Sequence, residues 1–359
     1  LSADDNGGDS SMSNYNVVSS SGFSVNNINT NSTHVYIAIR RSDGYVGKLY
    51  GAGEGTSVFA MDTGNSSTDG PTFDSGFPVD MGLRRMPTGG SGIDMDWATY
   101  NRLLGGTYLR ANLNATEANS SRAKWDLMTG FNHTDSSSYQ AWMWKRHAGF
   151  DVVAYEGGKN TYGSLAASDI SHNLGKIPEM IWVKRRNSSE NWPVYHKGFN
   201  NGSSPENYYA FLNQTGANTY GFVWGQTAPT STKFTVADGA WVNGSGSDYI
   251  AMLFASVEGI SKCDGYSGST SAVTVDCGFV PRLVMIKKRN NTGGWIIFDT
   301  LRGITAGNDC YMFLDSSAAD VCSYDVLDLV DSGGVKGFSV PTLGSNNDNG
   351  STYIYYAHS

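Results

Sequence analysis

One strand-like phrase recurs four times in this 359-residue chain, and its spacing constrains the fold more than any other feature. It reads Tyr36-Ile37-Ala38-Ile39-Arg40, Tyr139-Gln140-Ala141-Trp142-Met143, Tyr249-Ile250-Ala251-Met252-Leu253 and Tyr353-Ile354-Tyr355-Tyr356-Ala357, at steps of 103, 110 and 104 residues. Similarity at near-constant spacing predicts tandem copies of one unit. Further markers keep the same order. A proline opens an apolar run at Pro78, Pro178 and Pro281, and a tryptophan follows each, at Trp97, Trp192 and Trp295. A third strand then begins at Tyr108, Tyr209 and Tyr311.

The last copy ends on its Tyr strand, and this sets the phase: complete units are expected over 41–147, 148–256 and 257–359. Residues 1–40 carry only the closing part of a unit, since Gly22-Phe23-Ser24-Val25 returns as Gly337-Phe338-Ser339-Val340. The chain is therefore expected to begin inside an incomplete upstream copy. The first complete unit diverges, because its proline run breaks into Met81-Gly82-Leu83-Arg84-Arg85. That divergence points to specialisation, such as an interface.

Short apolar runs separated by Gly, Asn and Ser, with 44 glycines and 12% aromatic residues, favour strands joined by tight turns. The expected fold class is all-β, as tandem β-sandwich units of roughly 105 residues, jelly-roll or concanavalin-like. Helix is expected at most in short pieces, such as the region after Asn114-Ala115-Thr116-Glu117. A net charge of −8 argues against phosphate backbones and anionic membranes as partners, since both need a basic face. No apolar run approaches the roughly 18 residues of a membrane span.

Cys263, Cys277, Cys310 and Cys322 all fall in the last hundred residues without zinc-ligand spacing. Cys263 and Cys277 flank the turn-rich Gly265-Tyr266-Ser267-Gly268-Ser269. They could form a disulfide across a hairpin, and the alternative is two pairs of half-buried free thiols.

No nucleophile elbow, phosphate loop or His-based constellation stands out, so neither an enzyme nor a cofactor is expected. His147 and His358 follow equivalent Tyr strands, and Gly51-Ala52-Gly53-Glu54-Gly55 reads as a plain loop. Asp4-Asp5 and the Asp94/Asp96 pair read as solvated loop carboxylates, and Asn346-Asn347-Asp348-Asn349-Gly350 as a turn. Trp224 and Trp241 have polar sequence neighbours and no counterpart in the third unit. They are the candidates for stacking on a glycan, although core packing is the expected role of each.

His172-Asn173-Leu174-Gly175, Trp192-Pro193-Val194-Tyr195-His196-Lys197, Ala228-Pro229-Thr230-Ser231 and Ile296-Ile297-Phe298-Asp299 carry a resemblance over essentially the whole chain. They resemble a repeated domain of unknown function found in tail-fibre and other virion proteins of marine and cyanobacterial tailed phages. The resemblance implies a setting and no catalytic residue. It implies a non-enzymatic tail-fibre or spike component on the virion surface, beside other virion proteins, with outer loops reaching host surface glycans. By analogy with fibres it also implies a homotrimer. The alternatives are a capsid decoration protein and a bacterial adhesin or carbohydrate-binding module.

Overall fold

The Tyr strand Asp248–Phe254 is apolar on both faces, and both faces are covered. Ile250, Met252 and Phe254 point into one core with Trp182 and Trp192. Tyr249, Ala251 and Leu253 point the other way, into a core with Ile170 and Phe234. Successive side chains of a strand alternate sides, so a strand between two cores reads as an unbroken apolar run.

The computed structural model describes residues 16–18, 23–25 and 55–359, apart from 121, 126, 147, 159–166, 238 and 343. The described chain is all-β, built from antiparallel sheets with short 3₁₀ turns. Three sheets have six strands each. The first runs in the spatial order Phe59–Thr63, Gln140–Trp144, Met81–Arg85, Ala98–Asn101, Thr107–Arg110, Ala118–Asn119. The second runs Phe150–Glu156, Asp248–Phe254, Met180–Arg185, Pro193–His196, Tyr208–Phe211, Thr219–Tyr220. The third runs Ser261–Ser267, Thr352–His358, Leu283–Lys288, Trp295–Asp299, Asp309–Phe313, Val321–Tyr324.

In each sheet the Tyr strand lies second and is hydrogen-bonded on both sides. Trp142 pairs with Leu83, Met252 with Trp182, and Tyr356 with Met285. Pro178 and Pro281 sit two residues ahead of the strands they introduce, where the missing N–H interrupts no ladder. Ala118–Asn119 is an edge strand, so the expectation of helix after Glu117 is overturned: Tyr108 pairs with Ala118 in the ladder.

The inner faces of all three sheets meet in one central core that holds Trp97, Trp142, Trp182, Trp192, Met285 and Trp295. Their outer faces are covered by smaller sheets: Phe73–Asp74 with Gly130–Phe131, Ser168–Ser171 with Lys233–Val236, and Val273–Asp276 with Val335–Val340 and Asp328–Ser332. Gly130 pairs with Asp74 and Gly337 with Asp276. A Cβ at either glycine would collide with a carbonyl oxygen of the facing strand, which explains the Gly-Phe phrase. Near the N-terminus Asn16–Val18 pairs with Phe23–Val25, whereas the Tyr36 phrase lies outside the described residues.

Candidate functional site

The inner face of each sheet carries one long basic side chain at the end of the strand after the proline. Arg85, Lys184 and Lys287 are all fully buried. A tryptophan stands beside each on the next strand, and each indole N–H crosses to a neighbouring sheet. Trp97 donates to the Phe313 carbonyl at 2.8 Å, Trp192 to Arg110 at 3.1 Å and Trp295 to Phe211 at 3.0 Å. These acceptors hold matching positions, since Arg110 pairs with Ala98, Phe211 with Pro193 and Phe313 with Ile296. A backbone bond reinforces every seam: Glu117 N–H to Arg186, Asn218 to Arg289 and Asp320 to Pro87, at 2.9, 2.8 and 2.9 Å. The first sheet thus joins the second, the second the third, and the third returns to the first.

The buried cations end on carbonyl oxygens. Arg85 donates to Ser316, Ser317 and Ala318 at 3.2, 3.4 and 2.7 Å, across the seam. Lys184 reaches Arg185 and Ser188 at 2.6 and 3.3 Å, and Lys287 reaches Thr215 at 2.9 Å and Gly293. Burial disfavours their charged forms. It pushes Arg85 down to about 10 and both lysines down to about 8.

At the other end of the same strand pairs stand Asn101, His196 and Asp299, opposite Met81, Met180 and Leu283. All three are fully buried. Each caps the turn that follows it: Asn101 Oδ1 accepts from Leu103 N–H at 2.8 Å, His196 Nδ1 from Gly198 at 3.0 Å and Asp299 Oδ1 from Arg302 at 2.9 Å. The far side of His196 reaches the Tyr355 carbonyl at 3.3 Å, and Asp299 Oδ2 accepts from the Trp142 indole at 3.0 Å.

The first sheet carries a network of charged side chains on its outer face. Arg84 stands where Val183 and Ile286 stand in the other sheets. It forms a buried two-pronged ion pair with Asp135, whose Oδ2 lies 2.8 Å from His133 Nδ1. His133 Nε2 is 2.7 Å from the Tyr100 hydroxyl. Burial works against the Asp135 anion, yet His133 and Arg84 hold its carboxyl below the usual range. Burial lowers His133 and raises Tyr100 to about 12. All four side chains are buried and hold one another in place, which makes the network a polar brace behind the first sheet. Arg84, Tyr100 and His133 line a cavity of about 220 Å³.

Trp224 is buried, donates to the Tyr208 carbonyl at 3.1 Å and meets Tyr195 edge-on. Its candidacy for stacking on a glycan therefore falls, and its place is the one that core packing describes. Trp241 is half-buried and packed against Tyr209 and Phe211, with ring centroids 5.7 and 5.0 Å away, so its faces are largely committed as well. Polar neighbours in the chain misled in both cases. Among the described residues the exposed aromatics are Tyr220, Phe222 and Tyr324, marked in the sequence only by lying on edge strands or in loops.

The hairpin disulfide is overturned too. Cys310 and Cys322 are joined across the last two strands of the third sheet, while Cys263 and Cys277 are free and buried. Cys263 faces the central core and Cys277 the outer core, on opposite sides of the third sheet. Asp320 lies close enough to the bonded cysteines to resemble a metal cluster, but sulfurs tied in a disulfide are not thiolate ligands. The Asp94/Asp96 pair is engaged, contrary to the solvated reading: Asp94 accepts from Tyr139 at 2.6 Å and Asp96 from Asn112 at 2.7 Å. Asn346 and Asn347 form a buried turn, their amides spent on the carbonyls of Val326, Ser271 and Pro341. His147 and Asp4-Asp5 lie outside the described residues.

Residues 129–359 match the model of a family described as a domain of unknown function, DUF7483. The chain belongs to this family. The match takes in the strands Gly130–Phe131 and Gln140–Trp144 and all of the second and third sheets, so this DUF7483 chain has one seam, that between the second and third sheets, wholly within the matched residues. No curated protein matches it.

Proposed function

We propose that the chain is a non-enzymatic structural component of a tailed-phage virion, a tail-fibre or spike element on the particle surface. In this reading three copies of one unit of roughly 105 residues close into a ring about a pseudo-threefold axis. The observation that carries it is the set of matched indole bonds, Trp97 to Phe313, Trp192 to Arg110 and Trp295 to Phe211, which runs once around the three sheets. Identical strand order in the sheets supports the same reading. The strongly shifted groups Arg85, Lys287 and His196 are buried along the seams and bond across them, while Lys184 is buried there against its own loop. Such groups often mark reaction chemistry, and here they mark assembly. The virion setting comes from the resemblance of the sequence phrases.

A ring with threefold character suits a seat on a threefold axis. A single chain on that axis and the homotrimer expected from fibres are told apart by mass in solution. The same geometry favours one second reading, a capsid decoration protein at threefold positions of the shell. Antibody-gold labelling of particles tests both. Label on the tail is expected, label confined to the shell selects the second reading, and absence of the chain from particles overturns both.

A further inference from the structure

We propose that the outer face of the third sheet holds a binding site for a neutral pyranose sugar. This rests on the glycan contact assumed for an exposed virion component. The site is a cavity of about 690 Å³ whose walls include Phe298, Tyr311 and Tyr324. The second sheet explains why it is open. Tyr195 and Tyr209, each one residue before a matched ladder position, correspond to Phe298 and Tyr311. There the Trp224 ring packs on Tyr195 and the Trp241 ring on Tyr209. Trp241 lies eight residues before Tyr249, and the residue eight before Tyr353 is Ser345, which lines the cavity. The third sheet therefore keeps the aromatic floor and lacks the indole that covers it, which leaves room for rings from outside.

The chemistry of the rim selects the ring. Asn308, Asp325 and Ser345 are exposed at the mouth and offer an amide, a carboxylate and a hydroxyl. Tyr324, 59% exposed, presents a ring face. A pyranose has an apolar C–H face for such rings and hydroxyls around its edge for such partners. No lysine or arginine lines the cavity, so an acidic sugar would place its charge near Asp325 without a counter-ion.

The test is saturation-transfer NMR on the full chain. The probes are neutral disaccharides containing glucose, galactose, mannose and N-acetylglucosamine, with sialyllactose as the acidic counterpart and indole as the purely apolar ring. At least one neutral disaccharide is expected to bind, and sialyllactose to bind about tenfold or more weakly. Tyr324→Ala should cut neutral-sugar binding about tenfold with an unchanged melting temperature. Ser345→Trp should abolish binding while raising the melting temperature, because it restores the missing indole. No neutral sugar binding, binding that survives Ser345→Trp, or binding of indole alone would each overturn the proposal. Particle labelling is independent: its failure leaves sugar binding by the isolated chain standing, and the reverse also holds.

Discussion

The Arg85 guanidinium carbon lies 4.9 Å over the ring of Trp97, and both side chains cross the same seam, the arginine to carbonyls at 316–318 and the indole to Phe313. Buried cation, indole and carbonyls from the next sheet form one joint. At Lys287/Trp295 the same parts recur with a lysine that reaches Thr215 across the seam, whereas at Lys184/Trp192 only the indole crosses and the lysine ends on carbonyls of its own strand and loop.

Removing one indole donor from a joint isolates its hydrogen bond. Trp192→Phe keeps a large ring but leaves the Arg110 and Leu113 carbonyls, now 3.1 and 3.0 Å from the indole nitrogen, without their donor. A buried acceptor stripped of its donor costs about 1–3 kcal/mol. Urea unfolding should show that loss with native circular dichroism retained. An unchanged midpoint would refute the joint at this seam.

The lysines give a pH signature. Lys184 and Lys287 lose their protons near pH 8 when folded, against 10.5 when free. Between those values the unfolded chain holds protons that the native chain has released, so raising pH favours the fold. The interval corresponds to on the order of 3 kcal/mol per lysine. Cys263 and Cys277, pushed up by burial, act in the opposite sense above about pH 9. The clean comparison is therefore wild type against Lys184→Met and Lys287→Met: the variants should lose the rise between pH 8 and 9. Parallel stability curves would refute the burial of these charges.

The Tyr strands were legible because burial on both faces leaves an unbroken apolar run at each copy. Trp97, Trp192 and Trp295 were legible as markers for a related reason, since each must place an indole at a seam. What their faces meet was not legible. Period-two alternation tells which residues share a side, and says nothing of whether that side meets its own unit or two others. Lys184 and Lys287 look like polar ends of apolar runs, because two of their carbonyl acceptors, at Ser188 and Thr215, come from a loop and from another sheet. Cys263 and Cys277 flank a turn in sequence yet belong to different sheets, Cys263 to a strand of the third six-stranded sheet and Cys277 to the end of a strand of the sheet that covers it, a partition that turn residues alone do not fix. The brace of Arg84, Tyr100, His133 and Asp135 joins residues up to 51 positions apart, and Asp135 sits in a loop with no phrase around it.

Thiol counting checks the cysteine assignment. Alkylation of the native chain without reductant should label no cysteine, because Cys263 and Cys277 are buried and Cys310 is bonded to Cys322. Unfolding without reductant should expose two sites, and reduction should raise the count to four. A linkage of Cys263 to Cys277 in the peptide map would contradict the structure.

Acid stability isolates His196. Burial pushes His196 and His358 down to about 3, so both stay neutral in the fold where the unfolded chain takes up protons. As pH falls from 6.5 toward 3, the unfolded state binds more protons and stability drops. Asn101 occupies the matching position in the first sheet and caps its turn in the same way, so asparagine is compatible with this site. His196→Asn should keep the cap on Gly198 and lose the bond to Tyr355, at about 1 kcal/mol near pH 7. Because asparagine takes up no proton, that deficit should shrink and then reverse as pH approaches 4. The measurement is the urea midpoint of both proteins at several pH values. Curves that stay parallel down to pH 4 would mean that His196 is not held neutral at the seam.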